Sequence, residues 1–129
     1  RLQQGEIILC DRYADSTLAY QGYGHGVDLG TLRQLLHFAT GGLLPDLTLL
    51  LDLDPEEGLN RRRHSGGEWN RLDAYELEFY HRVRSGYLQL VKDEPQRWVV
   101  VDANRSLAAV QKEIREIVLE RLKLPSSLG

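Results

Sequence analysis

Short apolar runs alternate along this chain with longer stretches in which apolar residues recur every three or four positions. The short runs are Ile7-Ile8-Leu9-Cys10, Leu47-Thr48-Leu49-Leu50-Leu51 and Trp98-Val99-Val100-Val101. They are too short for helices and rich in residues that favour extended backbone, so they predict buried strands. Helical periodicity places Leu29, Leu32, Leu35, Leu36 and Ala39 on one face. It does the same for Leu77, Tyr80, Val83, Tyr87, Leu88 and Val91 in a long helix expected from Asp73 to Glu94, and for Val110, Ile114, Ile117 and Val118 in a last one. Asp28, Asp54 and Ser106 stand at N-cap positions, Pro55 at a first helical position, and Gly41-Gly42 and Pro95 at helix ends. Strands alternating with helices predict an α/β domain with a parallel sheet.

Each strand-like run ends in an acid: Asp11, Asp52 and Asp102. In open α/β sheets ligands bind in the crevice outside the carboxyl ends of the strands. The densest chemistry follows the first run, in residues 7–24, where Asp11-Arg12 precedes Tyr13, Ser16, Thr17, Tyr20, Gln21 and Tyr23. A carboxylate that holds a metal, a guanidinium that grips phosphate and a set of hydroxyls, rings and an amide suit a phosphate-bearing aromatic ligand. Gly22, Gly24 and Gly26 with His25 are expected to form a flexible connection, His25 facing solvent. A second concentration is Arg61-Arg62-Arg63 and Arg71 around a loop at 64–70. That is either a solvated charge run or a mobile lid closing on phosphates, and the segment by itself leaves both open.

Composition narrows the class. A chain of 129 residues is one domain at most. Its net charge of −3 gives no basic footprint for nucleic acid. No apolar run approaches the ~18 residues of a membrane span, and nothing resembles a signal peptide, so a cytoplasmic protein is expected. The single cysteine, Cys10, sits inside an apolar run and is expected to be a small buried packing residue. The chain starts at Arg1 without a methionine and reads as a piece of a longer protein.

Four segments in order resemble thymidylate kinases. They are Asp11-Arg12-Tyr13 with Ser16-Thr17 and Ala19-Tyr20-Gln21-Gly22, then Pro45-Asp46-Leu47-Thr48, the arginine-rich loop ending Asn70-Arg71-Leu72-Asp73, and Val101-Asp102-Ala103. The resemblance implies a P-loop kinase-type parallel sheet with flanking helices. Residues 1–129 would form the C-terminal part of a single nucleoside monophosphate kinase domain, with a dTMP-binding segment at 7–24 and a lid at about 61–73. The implied activity is transfer of the γ-phosphoryl of ATP to dTMP, giving dTDP, in a homodimer that uses Mg²⁺ and needs neither nucleic acid nor membrane.

By position, the resemblance makes Asp11, Arg12 and Arg71 catalytic. Asp11 would hold Mg²⁺ through water, and Arg12 would bind the dTMP phosphate. Ser16 and Thr17 would face thymine, Tyr20 would lie under the deoxyribose, and Gln21 belongs to the same segment. Arg61 would lie against adenine with the backbone at Asp102-Ala103, Arg71 would reach the transferring phosphoryl, and Asp73 would be a nearby acid. The chain departs from the family in two ways. Asn70 and Asp73 stand where the lid usually has Asp and Glu, and the 129 residues contain no G-x-x-x-x-G-K-[ST]. The implied fold is therefore incomplete, without the phosphate loop, an upstream arginine, and a central strand between Ile7–Cys10 and Leu47–Leu51. Three alternatives remain: another nucleoside or nucleotide kinase, a non-catalytic nucleotide-binding fragment, and a phosphohydrolase with an aspartyl nucleophile at Asp52-Leu53-Asp54. The last is disfavoured, because Glu56 replaces its usual Thr or Val and Pro55 makes a better helix start.

Overall fold

Two of the three expected strands form in the computed structural model, which describes residues 1–64 and 71–123 apart from the side chains of 62–64 and 71–73. Strand β1 (Thr48–Asp52) pairs in parallel with β2 (Trp98–Asp102), Thr48 opposite Trp98 and Asp52 opposite Asp102. Parallel neighbours need a long crossover. Helices α3 (Pro55–His64) and α4 (Arg71–Asp93) lie in it. Before β1 come α1 (Ala14–Thr17), a π-helical segment Leu18–Gly24 and α2 (Leu29–Thr40), and α5 (Leu107–Leu122) follows β2.

The expected strand Ile7–Cys10 does not form. It joins no ladder, and Ile7, Ile8 and Leu9 are exposed, Leu9 at 95%. Apolar, β-rich sequence becomes a strand only when a neighbour offers its peptide groups. Among the described residues β1 and β2 pair only with each other. Cys10 is exposed with the rest of the segment, against the expectation of burial.

The caps behave as expected. Asp28 Oδ2 accepts from the Thr31 backbone N–H at 2.9 Å and from Thr31 Oγ1 at 2.8 Å, which holds its carboxyl below the usual carboxylate range. Asp54 Oδ1 accepts from Glu56 N at 2.8 Å, and Ser106 Oγ from Ala109 N at 3.1 Å. Gly41 ends α2 in the left-handed region. Among the described residues no helix is long and apolar enough to cross a membrane.

Leu18, Ala19, Leu32, Val83, Leu90 and Trp98 form the core, with Phe79 and Tyr87 packed against it. The buried face of α4 thus runs Phe79, Val83, Gly86, Leu90, while Leu88 is 40% exposed. The sequence pattern places Leu88 inside, but a spacing of three and four from Val83 reaches 86, 87 and 90 and leaves 88 to the side. Gly22 and Gly24 are buried in the π-helical segment, against the expectation of a flexible connection. A Cβ on Gly24 would come 2.6 Å from the Phe79 ring. Only Gly26, at φ 78 with open space around it, fits that reading. His25 is exposed as expected, but its ring lies 4.6 Å from that of Phe79.

α4 also packs tightly against Tyr23. A Cβ on Gly86 would lie 2.5 Å from both Cβ and Cγ of Tyr23, atoms at the root of the side chain that cannot swing away. Gly86→Ala gains up to about 1 kcal/mol of helix propensity but overpacks the contact at about 1–3 kcal/mol. A net loss of about 1–2 kcal/mol in urea unfolding is expected; an unchanged or higher midpoint would show the contact to be loose.

Candidate active site

Arg12 has φ 58, in the left-handed region that a non-glycine residue adopts at a cost on the order of 1–2 kcal/mol. The turn directs its guanidinium onto Tyr20. The guanidinium carbon lies 4.9 Å from the ring centre, and Nη2 donates to the phenol oxygen at 3.2 Å. α1 and the π-helical segment carry Tyr20 back over Arg12, and α4 supplies the wall behind it. Phe79, Tyr80 and Tyr87 stand with ring centres 6.1, 6.5 and 6.2 Å from that of Tyr20. Ser16 Oγ and Tyr87 Oη are hydrogen-bonded at 2.8 Å, and burial pushes the Tyr87 phenol above its ordinary value against that bond. Of the stretch expected to bind a ligand, the structure thus brings Arg12, Ser16 and Tyr20 together. Thr17 is half-buried beside them, Gln21 is exposed, and Asp11 is exposed next to Arg12.

The second group of expected residues meets at the carboxyl ends of β1 and β2. Ala103 N donates to the Asp52 carbonyl at 2.8 Å, and Asp102 Oδ1 accepts from Asn104 N at 2.9 Å. Arg61 reaches this turn, with Nη2 donating to Asn104 Oδ1 at 3.3 Å and Nε to Glu57 Oε1 at 3.3 Å. Arg61 thus meets the residue that follows Asp102-Ala103 in the turn. α4 begins at Arg71, but the side chains of Arg71 and Asp73, and residues 65–70 of the expected lid, lie outside the described residues.

A cavity of about 270 Å³ opens between the Tyr20 wall and the carboxyl end of β1, walled by Tyr20, Asp52, Asp54, Tyr80, Arg84 and Tyr87 among others. Arg84 grips Asp52 at two points, Nε to Oδ1 at 2.8 Å and Nη2 to Oδ2 at 3.0 Å, with Asp54 3.8 Å away. That hydrogen bond raises the guanidinium above its ordinary value. Asp52 is thus held by an arginine and Asp54 caps α3, an arrangement of structural acids and not of an aspartyl nucleophile with its partner.

One buried polar group escaped the sequence altogether. Asp15, 8% exposed, meets Arg97, 7% exposed, fork to fork: Nη2 to Oδ1 at 2.8 Å and Nη1 to Oδ2 at 2.9 Å. Arg97 also donates from Nε to Glu94 Oε2 at 2.8 Å and from Nη1 to Thr48 Oγ1 at 3.1 Å. The hydrogen bond from Arg97 holds the Glu94 carboxyl below its usual range, and that to Asp15 chiefly holds the guanidinium above its own. The partners are 82 positions apart, and nothing local in either segment announces the other.

The model of one protein family, thymidylate kinase, matches residues 1–114. Among similar proteins, the thymidylate kinase of Roseiflexus sp. RS-1 is 52% identical over 128 residues, an alignment that covers 91% of this chain and 57% of that protein. The thymidylate kinase of Deinococcus radiodurans is 52% identical over 120 residues, covering 93% and 58%. That of Thermomicrobium roseum is 51% identical over 122 residues, covering 95% and 58%. The chain thus spans less than two thirds of the relatives it matches.

Proposed function

This chain belongs to the thymidylate kinase family, and we propose that it serves ATP-dependent phosphorylation of dTMP to dTDP. The observation that carries the proposal is Arg12, held in a strained backbone turn with its guanidinium on the face of Tyr20, beside a cavity at the carboxyl edge of the sheet. Strain of this kind persists where the surroundings over-determine it, and it clusters at functional sites. In this reading Arg12 binds the phosphate of dTMP, Tyr20 lies under the sugar, and Ser16 and Thr17 face the base. Gln21 belongs to the same segment. Arg61 and the turn at Asp102-Ala103 take the adenine of ATP, while Arg71 and Asp73 belong to a lid over the phosphates.

Asp11 fits a magnesium ion. It is a single exposed carboxylate, and no group of three metal-binding side chains occurs among the described residues. Mg²⁺ suits such a site because it keeps several waters and is held by one or two carboxylates plus substrate phosphates. When bound, it would neutralise charge on the nucleotide phosphates. The cradle for the β- and γ-phosphates is assigned outside these 129 residues, which hold no glycine-rich loop with its lysine. The protein is proposed to be a cytoplasmic homodimer. α2 supports the dimer with Leu35 and Phe38 exposed, Phe38 at 89%.

Arg12→Lys tests the reading. A planar guanidinium binds phosphate through two parallel bonds that an ammonium does not reproduce. kcat/KM for dTMP in the intact gene product is expected to fall about tenfold or more, the scale of one charged hydrogen bond. A value unchanged within twofold, about the error of such constants, would remove Arg12 from the substrate phosphate.

A further inference from the structure

We infer that the buried Asp15–Arg97 pair positions the dTMP-binding segment, so that Arg97 governs recognition of the nucleoside monophosphate without touching it. The inference rests on the function proposed above. Asp15 lies between Arg12 on one side and Ser16, Thr17 and Tyr20 on the other. Whatever fixes Asp15 therefore fixes the piece of chain from which all the proposed dTMP contacts project. What fixes it is a single guanidinium. Arg97 holds both carboxylate oxygens of Asp15, both oxygens of Glu94 just after α4, and the Thr48 hydroxyl at the start of β1. Its carbonyl also accepts from Thr48 N at 2.7 Å, and its guanidinium lies over the Trp98 ring at 5.1 Å. Three elements thus converge on one rigid fork. At 7% exposure Arg97 has no surface to offer a ligand, so its action passes through Asp15.

Stability alone is a poor reason for such a pair. A buried ion pair is often replaced by apolar residues of similar volume without loss of stability, because desolvation offsets most of the attraction. What apolar residues do not reproduce is orientation at two points, and the strained turn at Arg12, three residues from Asp15, needs its surroundings held.

The test uses the intact gene product and steady-state kinetics with dTMP and ATP varied separately. In the double variant Asp15→Leu/Arg97→Met the melting temperature is expected to stay within about 5 °C of the parent. KM for dTMP is expected to rise about tenfold or more, about 1.4 kcal/mol of lost recognition, while KM for ATP moves less than about twofold. Asp15→Asn keeps an acceptor and the shape of the side chain, and should recover part of the loss. Wild-type KM for dTMP in the double variant, or equal rises for both substrates, overturns the inference. If the double variant does not fold, Arg97→Lys decides by the same split: a rise for dTMP alone supports the inference, and equal rises or none overturn it. A parent protein that forms no dTDP refutes the substrate reading itself, and the inference falls with it. An active parent with an indifferent double variant refutes only the inference.

Discussion

A 129-residue polypeptide of this sequence, given dTMP, ATP and Mg²⁺, is expected to form no dTDP above the uncatalysed background. A protein that joins the same residues to a glycine-rich phosphate loop should turn over at the ordinary kinase rate of about 1–100 s⁻¹. The expectation follows from where charge must be neutralised. Phosphoryl transfer asks little covalent chemistry of the protein, and the largest contribution comes from donors fixed in place around the transferring group. Backbone amides and a lysine supply most of these in phosphate-loop enzymes. Here the arginine that lines the cavity among the described residues, Arg84, is already engaged with Asp52, and Arg61 is held by Glu57 and Asn104. Readily measured dTDP formation by the 129 residues alone would mean that a cradle exists among them.

Arg71→Ala in the intact gene product should lower kcat by about 10³ or more, the scale of arginines that meet the transferring phosphoryl. KM for dTMP should move little. A group that reaches the phosphates only when the lid closes stabilises the transition state and not the bound ground state, so its loss appears in kcat. Arg62 is the control from the same cluster. If it faces solvent, its alanine variant changes stability by no more than about 0.5 kcal/mol and leaves turnover near the parent value. Small and equal effects at both positions would return the whole cluster to a solvated charge run.

Local chemistry was readable in the chain, and chemistry between distant segments was not. The caps at Asp28, Asp54 and Ser106 depend on residues two or three positions on, so they were visible as spacing. The runs at β1 and β2 became strands because each found the other. Ile7–Cys10 carries the same signal and stays unpaired, since a strand is a property of two segments and not of one. Arg12 and Tyr20 stand out separately as ligand-binding candidates, but their contact spans eight residues, and the π-helical turn that closes it leaves no pattern of its own. Gly22 and Gly24 looked like punctuation because a glycine needed for close packing and one needed for a turn read alike. Arg84 with Asp52 and Arg97 with Asp15 stayed hidden for a simpler reason. An arginine on a helix or before a strand is ordinarily solvated, and only the fold reveals which acid lies opposite.

The most direct measurement is phosphoryl transfer from ATP by the intact gene product, with dTMP, dCMP, dGMP and AMP compared as acceptors under identical conditions. The proposal that Ser16, Thr17 and Tyr20 meet thymine and deoxyribose predicts the highest kcat/KM for dTMP, by at least about tenfold over each of the others, about 1.4 kcal/mol of discrimination. A purine nucleotide phosphorylated as well as dTMP, or no transfer to dTMP at all, would contradict it.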